Sequence, residues 1–173
     1  MTTTITAPTG DPAARRHRLR EGYLELSQRF PDYFVTLVTN RNSLVGKRLS
    51  HMSLDEFNRA VRDFHKRIDT ALLGTRASKK PCSQRTNGLM FVEHVGRNIH
   101  GHAFVRFADQ DSRTLEDLQE ICDEAWATIC PGGDVLIQPQ YNDGPGLYPS
   151  KELECRNYDF DQTILFSTFV SKD

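Results

Sequence analysis

The chain has 173 residues, 38% of them hydrophobic and 26% charged, with a formal net charge of −1. This is the composition of a soluble globular protein, most simply one domain long enough to bury a core. The near-neutral charge leaves any nucleic-acid role to local basic patches, and no apolar run approaches the about 18–20 residues of a membrane span.

Residues 1–12, rich in Thr, Pro and Gly, predict a disordered tail ahead of a single domain spanning 13–173. A helix is expected over 13–30. It opens on Arg15, Arg16, His17, Arg18 and Arg20 and later sets Leu19, Tyr23, Leu26 and Phe30 at helical spacing. The basic start reads either as a solvated helix end or as a set of phosphate contacts. Residues 33–40, YFVTLVTN, are β-branched and aromatic and predict a central strand, and 41–51 a loop. Ser53 followed by Glu56 is a capping box. It starts a helix to about Leu73 with Leu54, Phe57, Val61, Phe64, Ile68 and Leu72 on its apolar stripe, and Gly74 can close it.

Residues 75–87 carry Arg76, Lys79, Lys80 and Arg85 and almost no apolar side chain. Such a segment is either a mobile loop or one that grips a phosphate backbone.

Two apolar runs follow, 89–95 and 99–107, separated by Gly96-Arg97-Asn98, the pattern of a β-hairpin. On the second run His100 and His102 stand two residues apart, and strand geometry turns them to one face. Two imidazoles so placed can take neighbouring positions on one metal ion. The turn decides what joins them. A two-residue Gly96-Arg97 turn, of type II′, sets Glu93 opposite His100; a three-residue turn sets His94 there instead. Glu93 is the expected third ligand, because two histidines and a carboxylate suit a hard divalent ion, with His94 in reserve. The competing reading is a pair of solvated surface histidines.

Beyond the hairpin, Thr114 is expected to cap a helix through Cys130 that turns Leu115, Leu118, Ile121, Cys122, Ala125, Trp126 and Ile129 inward. A strand over 134–140, a turn at 142–146, a short helix around 149–155 and a last strand over 162–170 complete the chain. The order β-α-β-β-α-β, with a C-terminal helix and strand, is the ferredoxin-like arrangement of an α+β protein. Its helices would cover one face of an antiparallel sheet and leave the histidines on the open one, with Gly101 allowing a helix close approach. Cys82, Cys122, Cys130 and Cys155 lack a CxxC spacing, and no signal-peptide core opens the chain, so reduced thiols and a cytoplasmic setting are expected.

FVTLVTN at 34–40, His100-Gly101-His102 after Glu93, and Tyr148-Pro149-Ser150-Lys151 follow one another in this order. In that combination the chain resembles the HUH endonuclease superfamily of rolling-circle replication initiators, relaxases and transposases, over roughly residues 33–170. It departs from the family in having glycine between the histidines and Pro149 directly after the tyrosine. The proline sets Tyr148 at the mouth of a helix rather than within it.

The resemblance implies a DNA nicking and rejoining enzyme using Mg2+ or Mn2+ held by Glu93, His100 and His102. Tyr148 would be the nucleophile that forms a 5′-phosphotyrosine link, with Lys151 beside the phosphate. Tyr158 lies too far along the chain to make a tyrosine pair, which implies a single-tyrosine initiator of plasmid or phage replication. The expected partner is single-stranded DNA or an origin hairpin exposing it, held at Arg76, Lys79, Lys80 and Arg85. With no phosphate-binding GxxxxGK in the chain, helicase and polymerase are expected to be separate proteins. The alternatives are a transposase or relaxase of the same superfamily, or a non-catalytic ferredoxin-like nucleic-acid-binding module.

Overall fold

A computed structural model describes residues 12–30, 32–40, 43–45, 48–140 and 162–170. In chain order these form α1 (Pro12–Ser27), β1 (Tyr33–Val38), β2 (Ser43–Val45), β3 (Arg48–Ser50) and α2 (Leu54–Leu73). Then follow β4 (Asn87–Glu93), β5 (His100–Arg106), α3 (Leu115–Ile129), β6 (Asp134–Pro139) and β7 (Thr163–Leu165). The protein is α+β. Its main sheet runs β6-β1-β5-β4-β7, and every neighbouring pair is antiparallel.

Helices α2 and α3 start where the sequence marks them. Ser53 accepts from the Glu56 amide while Glu56 reaches back to the Ser53 amide, and Thr114 and Asp117 repeat the exchange at α3. One face of α2 buries Phe57, Val61, Phe64, Ile68 and Leu72. With Leu118, Cys122 and Trp126 of α3, it packs on Val35, Leu37, Met90, Val92, Ala103, Val105 and Ile137 of the sheet. Trp126 is fully buried, lies edge-on to Phe57 and Phe64, and donates its indole N–H to the Val38 carbonyl at 2.9 Å. That bond satisfies the one polar atom of an otherwise apolar payload.

Gly101 sits beneath this layer. A Cβ there would stand 2.5 Å from Met90 Sδ and 3.2 Å from Phe57 Cζ, so α2 and β4 close tightly over this glycine and Met90 would have to shift for any larger residue.

The opposite face is less open than expected. Phe34, Leu89, Phe91 and Phe104 line it, and Phe30 with Leu26 from the end of α1 covers them. Four large apolar side chains on one sheet face are costly to leave in water, and α1 supplies the cover.

Three further expectations change. Within 41–51, β2 and β3 pair as a short hairpin rather than a plain loop. The expected strand over 162–170 pairs only through Thr163–Leu165 and then coils into a 3-10 turn, Phe166–Phe169. There the Thr168 hydroxyl donates to the Leu165 carbonyl at 2.6 Å, a local bond that competes with continued pairing. The basic stretch 75–87 is built on two 3-10 turns, Ala77–Lys79 and Cys82–Gln84. The turn expected at 142–146 and the helix expected around 149–155 lie outside the described residues. No helix among the described residues is long and apolar enough to cross a membrane.

Candidate metal centre

The site grows out of the pairing of three strands. β4 and β5 set Glu93 opposite His100, and β1 and β5 set Thr36 opposite His102. Even-numbered positions of β5 point away from the helices, so both imidazoles share the face that carries Phe34 and Phe104. The expected register holds, but the turn differs. The ladder stops at Glu93 and His100, and six residues, 94–99, connect them. The Arg97 amide bonds to the His94 carbonyl at 3.0 Å, and Gly96 takes the third turn position at φ +83°, as a type II turn requires. Both loops contain an even number of residues, so they give the same register.

Three ligand atoms converge. One carboxylate oxygen of Glu93, Oε2, lies 3.3 Å from His100 Nε2 and 3.6 Å from His102 Nε2. All three donor atoms are within 4.8 Å of one another. Neighbouring ligands about 2.1 Å from a small divalent ion stand about 3 Å apart, so a slight inward movement would close this set on a cation. Two nitrogens and one oxygen suit first-row divalent ions and leave coordination positions for other ligands.

The residues around the ligands fix their orientation. His100 Nδ1 lies 3.0 Å from the Asn98 carbonyl, which can only accept, so Nδ1 carries a proton and Nε2 is the nitrogen turned toward Glu93. His102 Nδ1 lies 3.0 Å from the Thr36 hydroxyl, and its ring stacks on Phe34 at 5.6 Å and 9°. Thr39 acts one step further out. Its buried hydroxyl lies 2.9 Å from the Ile99 carbonyl and 3.1 Å from Asn98 Oδ1, which steadies the residue that orients His100. The two threonines of the TLVT segment thus serve one histidine each.

Glu93 is largely buried, and burial by itself would push its carboxyl upward. Hydrogen bonds from His100 and His102, with the charge they carry when protonated, outweigh that and hold it at about 2.

His94, the reserve ligand, lies outside the group. Its backbone is left-handed at φ +56°, its side chain is exposed, and its ring stands 4.7 Å from that of His100.

Of the four basic residues expected to hold nucleic acid, Arg76, Lys79 and Lys80 are exposed. Arg85 is not. It is 8% exposed, and its Nε donates to Asp69 Oδ2 at 2.7 Å. The other Asp69 oxygen accepts from the Thr86 amide, and His65 donates to the Thr86 carbonyl at 2.7 Å. A buried carboxylate on α2 needs a cation, so Arg85 turns inward and leaves the basic surface.

The remaining three precede β4 in the chain, and β4 itself runs about 20 Å from Asn87 to Glu93 at ~3.3 Å per residue. Tyr148 and Lys151 lie outside the described residues.

Sequence reasoning missed Thr36, Thr39 and Asn98. The alternation of FVTLV sets Thr36 on the face of Phe34, but only the pairing of β1 with β5 joins it to His102. No protein-family model, curated protein or solved structure matches the chain.

Proposed function

We propose that the protein is a divalent-metal-dependent enzyme that nicks and rejoins single-stranded DNA, in the manner of the HUH endonucleases it resembles. The observation that carries this reading is the convergence of Glu93, His100 and His102 on one sheet face. Supporting it is the order β1-α2-β4-β5-α3-β6, which reads as a ferredoxin-like core with β7 added at the edge.

Glu93, His100 and His102 would hold Mg2+ or Mn2+, which when bound supplies positive charge at a scissile phosphate. The chain's own residues do the rest. Thr36 and the Asn98 carbonyl hold both imidazoles with Nε2 toward Glu93. Phe34 walls one side of His102 and limits water there. Tyr148 is the proposed nucleophile. Its phenolic oxygen forms the new bond to phosphorus while the bond to the 3′ oxygen breaks, and the phenolic proton replaces the lost bond on that 3′ oxygen. The products are a 5′-phosphotyrosine and a free 3′-hydroxyl, so the phosphoester is conserved for rejoining. Lys151 contacts the phosphate, and Arg76, Lys79 and Lys80 hold the strand further away.

The test is covalent. Wild type incubated with single-stranded DNA and Mn2+ should form a denaturant-resistant adduct that maps to Tyr148, and Tyr148→Phe should bind DNA but form none. An adduct at Tyr141 or Tyr158 would reassign the nucleophile. No adduct with any divalent metal, together with no thermal stabilisation by Mn2+, would leave a non-catalytic binding module.

A further inference from the structure

A second polar site lies at the β7 edge of the sheet, on the side where α2 passes over it. Asn58, Arg59 and Arg62 of α2 are spaced to share one side of the helix, Arg62 being one turn beyond Asn58. Opposite them run β7 and the 3-10 turn Phe166–Phe169. A cavity of about 330 Å³ separates the two, lined by these three residues together with Thr163, Thr168, Phe169 and two aliphatic side chains. That volume is at the lower end of small-ligand sites, about 300–1,000 Å³.

Its walls are set by packing. Phe169 stacks on the buried Phe166 with ring centroids 5.9 Å apart and meets the His65 ring at 5.7 Å. The Arg62 guanidinium lies over the Phe169 ring, 5.4 Å from its centroid, which holds the plane of the fork.

Arg67 is tied to Asp63, Arg85 to Asp69 and Arg106 to Asp32. Among the described residues no carboxylate engages Arg59 or Arg62. Two like charges at this helical spacing repel, and an anion between them would remove the cost. Asn58 Oδ1, beside the cleft, is buried and has no hydrogen-bond partner among the described residues.

We infer that this cleft binds the phosphate group of a nucleotide, either free or within a nucleic-acid strand, with Arg59 and Arg62 as its ligands. A guanidinium fork matches phosphate oxygens two at a time, and the aliphatic and aromatic wall takes the rest of the nucleotide. The site shares no residue with the metal centre and needs no metal, so it stands or falls apart from the nicking reaction.

The test uses the full chain in EDTA, with adenosine monophosphate and a short fluorescein-labelled oligothymidylate as separate probes. Wild type should bind at least one of them saturably at one site per chain, and Arg59→Gln/Arg62→Gln should weaken that binding by at least about tenfold. Saturation by the mononucleotide identifies a free-nucleotide site; saturation by the oligonucleotide alone identifies a strand-backbone site. Both substituted residues are exposed, so the unfolding midpoint and the Mn2+ response should stay at wild-type values. Should the double variant misfold, Arg62→Lys keeps the charge and loses the fork, and it should still weaken binding measurably. Absence of saturable binding by either probe, or variants that bind as wild type does, would overturn the site.

Discussion

A ligand set is only as good as the atoms that orient it, and Thr36 is the clearest case. Its hydroxyl is 3.0 Å from His102 Nδ1, and it comes from a strand far from the hairpin in sequence. Such outer partners typically contribute 10–100-fold to metal affinity. Thr36→Val should therefore weaken Mn2+ binding by about 10–100-fold, as read by calorimetric titration, while Thr36→Ser keeps the hydroxyl and most of the affinity. Equal weakening by both would mean that Thr36 acts through packing and not through its hydroxyl.

At the scale of elements, the decisive contact is the approach of α2 and β4 to β5 at Gly101. Gly101→Ala places a methyl against Met90 and Phe57, so the Met90 side chain has to shift to receive it. Overpacking of this kind costs about 1–3 kcal/mol, so the urea midpoint should fall at unchanged slope. A neutral result would mean that Met90 moves aside without cost.

This is also the scale at which the sequence was most informative. Ser53 and Glu56 named the start of α2, Thr114 that of α3, and the alternation of β5 gave the shared face of the histidines. What it could not supply was pairing between distant segments. The Thr36–His102 contact depends on β1 lying beside β5, and the burial of Arg85 depends on Asp69, sixteen residues earlier on a helix face. A basic stretch looks alike whether its arginines face water or a buried carboxylate. The type II turn was hidden for another reason. Loops of two and six residues preserve the same strand parity, so the pattern of the hairpin cannot tell them apart.

For the molecule as a whole, the buried pair His65 and Asp69 ties α2 to the start of β4. Burial lowers the His65 pKa below its ordinary 6.5, and Asp69 and the Thr86 carbonyl only partly oppose that. As pH falls past that ordinary value the unfolded chain takes up a proton that the folded chain refuses, so the unfolded state gains and stability declines. Above it His65 is neutral in both states and contributes no slope. Urea unfolding at neutral pH and at about pH 5.5 should show this loss, and His65→Gln should flatten it. A pH dependence unchanged in that variant would assign the slope to other histidines.

The length of β4 sets a scale for any substrate that runs from its Asn87 end, which the exposed lysines precede in the chain, to Glu93. About 20 Å separates those two ends, and a stacked strand advances ~3.4 Å per nucleotide, so they are bridged by about six nucleotides. Affinity measured across a ladder of oligonucleotide lengths should therefore rise in a step near the hexamer. Lys79→Gln/Lys80→Gln should erase that step and leave binding of the shorter members as it was.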